Sequence, residues 1–246
     1  MCGSIPRKAL IVSFPDTTKR NNKNKSDNID DDESSKYPNK RWMGDLMASG
    51  ATNATLKRMV IPGSHGSASY SIPLLNLGKT QKISILEQLL CGIRFLDLRI
   101  SSGKKKGAVN IFHGRLMGCS FEEVLGEIGD FCRTYPTEFV ILHVQPERSR
   151  PFPAQTKVKA LNLVRSHFGS PWDPIPERLL CKANLRNSVL DTPLHKLVSQ
   201  RGRVLVILNP RIYNDFIIDG VNYNADYIQK DYGFFDAAFW LRDKWQ

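Results

Sequence analysis

The sequence predicts an α/β protein in which a largely parallel sheet is covered by helices. Two observations carry this. Apolar runs of strand length alternate with stretches of helical spacing. Several of those runs, EFVIL from 138 and VLVIL from 204, are apolar on both faces, as in strands covered from both sides.

The elements follow in order. Leu56 to Ile61 reads as a short strand stopped by Pro62-Gly63. Ser84 to Leu90 has helical spacing and ends at Cys91-Gly92. Ile93 to Ile100 is a strand with charges set into an apolar run, and Gly103 to Gly107 is a basic loop before a strand at Val109 to Phe112. Ser120 and Glu123 form a capping box for an amphipathic helix striped by Phe121, Val124, Leu125, Ile128 and Phe131. Glu138 to Val144 is a buried strand and Ala154 to Phe168 a helix. A further helix is predicted over Thr192 to Ser199, a strand over Arg203 to Leu208, and a last helix from Phe234 to Trp245.

The 246 residues carry 35 Lys plus Arg against 24 Asp plus Glu, a net charge of +11. No run approaches the roughly 18 to 20 apolar residues needed to span a bilayer. The five cysteines contain no CxxC pair, which argues against a structural zinc site. No Gly-rich phosphate loop supports dinucleotide or nucleoside-triphosphate binding. Residues 1–40 read as a tail and a disordered linker, since 15–40 hold six basic and six acidic residues and almost nothing to bury. The folded domain is expected over 41–246, with a cytosolic start.

Three strand ends carry residues that a buried strand avoids. They are Pro62-Gly63-Ser64-His65, then Asp97-Leu98-Arg99, then Phe112-His113. Asp97 and Arg99 are two apart and share one face of their strand. Two histidines, one carboxylate and one guanidinium suit phosphodiester cleavage. One imidazole takes a proton from an attacking hydroxyl, the other protonates the leaving oxygen, and arginine binds the phosphate. His143, His167 and His195 read as structural histidines.

These motifs, in this order and spacing, resemble the X domain of phosphatidylinositol-specific phospholipase C. The likeness runs from about Trp42 to Asn209 and is strongest over 57–145, and the single-domain bacterial, trypanosomatid and X domain-containing forms are nearest in style. It implies a TIM-like (β/α) barrel with the site at the C-terminal strand ends. His65 would then be the general base on the inositol 2-hydroxyl, and His113 the general acid for the diacylglycerol oxygen. Arg99 would neutralise the phosphate and Asp97 would hold the nucleophile or substrate. Gln145 and Lys105 join the set as substrate contacts. Arg211 is either an inositol or phosphate contact or a surface arginine. The products would be diacylglycerol and inositol 1,2-cyclic phosphate.

Calcium-dependent members of that family carry four oxygen ligands, of which this chain retains Asp97 alone. Arg99, Gln145 and Gly66 stand at the other positions, so no metal and no cofactor is expected. Gly66 also replaces the acidic residue that supports the second histidine in bacterial forms. The family's late carboxylate, which orients the first histidine, has no evident counterpart. About 206 residues from Arg41 is near the lower limit for eight β/α units, so the barrel is expected to be incomplete or open at its C-terminal end.

Six basic residues and one acidic residue lie between Arg94 and Arg115. Anionic membrane and an inositol phospholipid are the expected partners, with the protein cytoplasmic and peripheral at membranes. Nucleic acid is not expected, because no aromatic platform accompanies the lysines. The alternative is a catalytically weak or inactive lipid-binding relative.

Overall fold

In the computed structural model the described residues are 36–73, 78–169, 179, 189–199, 202–208, 217–218 and 221–222. The chain divides after Tyr37, and the fold below is that of the second unit, Pro38–Gln246.

The element order is α1 (Trp42–Ala48), β1 (Gly63–Ser64), α2 (Ile85–Leu90), β2 (Phe95–Ser102), β3 (Val109–His113), β4 (Leu116–Ser120), α3 (Phe121–Thr134), β5 (Val140–Pro146), α4 (Ala154–Phe168), α5 (Leu194–Ser199) and β6 (Val204–Leu208). A two-stranded hairpin, β7 (Ile217–Ile218) with β8 (Val221–Asn222), follows. The main sheet runs β4-β3-β2-β5-β6, with β1 also pairing to β2. Strands β1, β2, β5 and β6 are parallel. Among the described residues the sheet does not close, so the architecture is an incomplete TIM-like barrel.

Two expectations are corrected. Leu56 to Ile61 is not a strand: Leu56–Arg58 forms a 3-10 turn, and the strand begins after Pro62. Proline has no N–H to give a ladder, and here its carbonyl accepts from the Arg94 and Phe95 amides instead. The sheet is also mixed, because β3 pairs antiparallel with β2 and with β4. The five residues from Gly103 to Gly107 are too few for a crossover helix, so the chain turns straight back as a hairpin. The predicted last helix, Phe234 to Trp245, lies outside the described residues.

Alternation along the strands sorts the side chains into two layers. Leu96, Leu98 and Ile100 of β2, with Leu142 and Val144 of β5 and Val206 of β6, pack under Val124, Ile128 and Phe131 of α3 and Leu161 and Val164 of α4. The other face carries Ile141, Leu205 and Ile207 against Met43, Leu56 and Leu194. This second layer is the floor above which the polar residues of β2 and β5 stand. Helix α2 starts on a full capping box of Ser84 with Glu87, and α3 on the Ser120 hydroxyl.

The sheet base is tied by an ion pair with no exposure, Arg94 with Glu138 at 2.7 Å. Arg94 also donates to the carbonyls of Leu89, Ile93 and Lys40. Glu138 accepts from the amides of Met43 and Gly44 and so caps α1 from 94 residues away. Arg94 therefore belongs to the barrel base, and its charge does not reach the site mouth.

Candidate active site

Strand pairing explains how the two histidines meet. β1 and β3 lie along the same edge of β2, β1 beside Phe95 and Leu96, β3 beside Ile100 to Ser102. One runs upward and the other downward, so their C-terminal ends converge. His65 follows β1 directly and His113 ends β3. Their ring centroids are 6.4 Å apart and nearly perpendicular. An antiparallel β3, unforeseen in the sequence, is what brings His113 back to the level of Asp97.

Asp97 is the hub. It is 5% exposed. Its Oδ2 faces His65 Nδ1 at 3.1 Å and accepts from the Gly66 amide at 3.2 Å. Arg99 Nη2 lies 3.5 Å from the same oxygen and 3.4 Å from His65 Nε2. Gln145 Nε2 donates to Asp97 Oδ1 at 2.6 Å. Burial by itself pushes the Asp97 carboxyl up. The hydrogen bond with His65, the Arg99 and His143 charges and the Gln145 amide outweigh it and hold Asp97 well below the usual carboxylate range. Among the described residues, the carboxylate that meets the first histidine is Asp97.

His65 sits in a turn clasped from both sides. Ser67 exchanges backbone hydrogen bonds with Asp97 through its amide and hydroxyl. Buried Gln88 donates to the Ser67 carbonyl and accepts from Ser64. From outside, Thr80 and Gln81 donate to the His65 carbonyl. Gly66 has φ +53°, and a Cβ there would stand 2.7 Å from Thr80 Oγ1. Any side chain at this position therefore meets a left-handed backbone and the Thr80 hydroxyl. Gly66→Asp is expected to cost about 1–3 kcal/mol of stability by the combined strain and clash, measurable by chemical denaturation.

No hydrogen bond from another described residue reaches the His113 ring. Burial, together with the Arg99 and His65 charges, lowers its pKa from 6.5, and Glu147 and Asp97 offset part of this. Glu147, absent from the sequence-derived set, is 6% exposed and leaves Oε2 without a hydrogen-bond partner among the described residues. Arg99 Nε is likewise buried and unpartnered. His143 was read as structural, but it lies opposite Asp97 in the β2–β5 register with Nδ1 4.0 Å from Oδ1. The alternate polar positions His143 and Gln145 in an apolar strand and Glu147 just after it were the visible sign of both.

Lys105 is not brought to this cluster. It is exposed in the β2–β3 turn, beyond Ser102 and roughly 17 Å along the strand from Asp97. It belongs to the rim. Arg211 lies outside the described residues. Among the described residues no group of three or more His, Cys, Asp or Glu is placed to hold a metal ion, and no helix is long and apolar enough to cross a membrane.

An incomplete β/α barrel that gathers two histidines from the ends of β1 and β3 and an aspartate and an arginine from within β2 defines a phosphodiesterase-type scaffold. The family model of the phosphatidylinositol-specific phospholipase C X domain matches residues 53–190, and the chain belongs to that family. It is 30% identical to the 1-phosphatidylinositol phosphodiesterase of Listeria monocytogenes, over 52% of this chain and 40% of that protein. It is 32% identical to human PI-PLC X domain-containing protein 2, over 44% of each. The chain thus spans less than half the length of these relatives. In fold it is similar to the solved phosphatidylinositol-specific phospholipase C of Listeria monocytogenes, with a TM-score of 0.53 at 20% identity, covering 74% of this chain and 60% of that one. A variant of the Staphylococcus aureus phospholipase aligns with a TM-score of 0.51 at 16% identity, over 69% and 52%.

Proposed function

We propose that this chain cleaves phosphatidylinositol or a GPI-type lipid to diacylglycerol and inositol 1,2-cyclic phosphate without a metal ion. The observation that carries the reading is the convergence of His65, His113 and Arg99 on the buried carboxylate of Asp97.

The phosphodiester docks on Arg99, whose unpartnered Nε and nearby Nη2 donate to its oxygens. Docking draws the guanidinium from His65 Nε2, which then takes the 2-hydroxyl proton while Asp97 holds Nδ1. The freed oxygen attacks phosphorus. The bond to the glycerol oxygen breaks, and that oxygen receives a proton from His113. Gln145 and Glu147 face the headgroup, with the free Glu147 oxygen ready to accept from a ring hydroxyl.

His113 must be protonated to act, yet its environment lowers its pKa. In the free protein the acid form is lost as pH rises, so kcat/KM is expected to fall toward alkaline pH with a midpoint below 6.5. A profile flat from pH 5 to 8 contradicts the role of His113.

The reading includes a cytoplasmic protein docking on anionic membrane. Lys104, Lys105 and Lys106 stand exposed at the hairpin tip on the site side of the barrel. Changing all three to Gln should weaken binding to phosphatidylserine vesicles by on the order of 1 kcal/mol per lysine, read by vesicle sedimentation.

Phosphatidylinositol micelles in EDTA provide the decisive assay. Release of inositol 1,2-cyclic phosphate supports the reading, and activity that needs an added divalent cation overturns the metal-free mechanism. The lowered pKa of His113 and the missing acid at Gly66 favour one alternative, a lipid-binding relative with little turnover. Vesicle binding without product at any pH would establish it.

A further inference from the structure

Asp97 faces two histidines. On Oδ2 it has His65, the Gly66 amide and Arg99, and on Oδ1 it has the Gln145 amide and His143. At 4.0 Å the His143 contact is too long for a hydrogen bond, so it acts through charge. His143 is 5% exposed, like Asp97. Its β6 register partner is Ile207, and the Phe95 ring lies 6.2 Å away. Position 143 is where the apolar floor meets the polar site, and packing alone would be met by an aliphatic side chain. A buried imidazole there costs solvation. The charged or titratable groups of the described residues on this face are Asp97 and Arg99 of β2, Glu147 next to β5, His65 after β1 and His113 at the end of β3.

We propose that His143 is a positioning residue that competes with His65 for the single negative charge of Asp97. This rests on the reading of His65 as the base and deepens it. A charge on His143 engages the carboxylate and loosens its hold on protonated His65. The base then gives up its proton more readily after each turnover. Both imidazoles face the one carboxylate, His65 on Oδ2 and His143 on Oδ1.

Histidine 13Cε1 NMR tests this without reference to turnover. The chain has five histidines, and His65→Gln assigns the relevant signal. In His143→Phe and His143→Gln the His65 titration should move to higher pH by about half a unit or more, because the carboxylate now serves one imidazole. In an Asp97→Asn background the same substitutions should add no shift. His143→Gln keeps a polar side chain and serves if the Phe variant does not fold. An unmoved His65 curve in folded His143→Gln overturns the proposal, as does a shift that persists without Asp97. On phosphatidylinositol micelles the acid limb of kcat/KM should move up with KM unchanged. A wild-type protein that releases no product sinks the assigned activity, while the NMR result still decides the role of His143.

Discussion

Replacing His65 or His113 with alanine should each reduce inositol 1,2-cyclic phosphate release by about a hundred- to ten-thousand-fold, the range for loss of a general base or acid. The two losses should not add, because proton removal and proton delivery belong to one displacement. Both side chains lie at the surface of the site rather than in the core, His65 being 20% exposed. The variants should therefore unfold like the parent. Activity surviving in either variant would show that the convergence at Asp97 serves binding alone. Asp97→Asn should lose activity too, since the amide puts its NH2 or its neutral oxygen where His65 Nδ1 now meets a carboxylate. Its effect should appear in kcat, because Arg99 still receives the phosphate.

The largest effect on stability is expected at the barrel base. Arg94→Met leaves the Glu138 carboxylate buried with no countercharge, and such a break typically costs about 3–5 kcal/mol. It also strips donors from the carbonyls of Leu89, Ile93 and Lys40. Arg94 further stacks on Phe131 of α3 at 4.7 Å, so helix packing suffers as well. Glu138→Leu should be as damaging, because it uncaps α1 and orphans the guanidinium. The double variant should recover part of the loss, since neither charge is then buried alone. Urea denaturation of the three variants measures this. Additive losses would mean that the pair is not the unit that ties β2, β5 and α1 together.

How far the sequence reached can be followed residue by residue. Helix α4 was legible to its ends, the Ser120 cap marked the start of α3 and spacing marked α2, because caps and periodicity are local physics. The family resemblance and the four residues His65, Asp97, Arg99 and His113 were also legible, since each lies within or at the end of an apolar run where polarity is conspicuous. The turn after Pro62 was misread as following a strand, because a two-residue strand leaves no periodicity to find. The hairpin of β3 with β4 was missed for a similar reason: LMGCS has neither alternation nor a turn motif strong enough to declare a strand.

The sequence by itself determined the α/β class, the family and the residue types available for chemistry. Only the tertiary structure decided how they are wired. It put β1 and β3 on one edge of β2 so that two histidines meet. It made Asp97 the partner of His65, removed Lys105 to the rim and Arg94 to the base, and drew His143 and Glu147 into the site. These outcomes depend on which strand pairs with which, and at what register. A shift of one residue would turn Asp97, Arg99, His143 and Gln145 from the site face to the helix face. Register is set by the burial of whole faces against distant elements, which local spacing does not record.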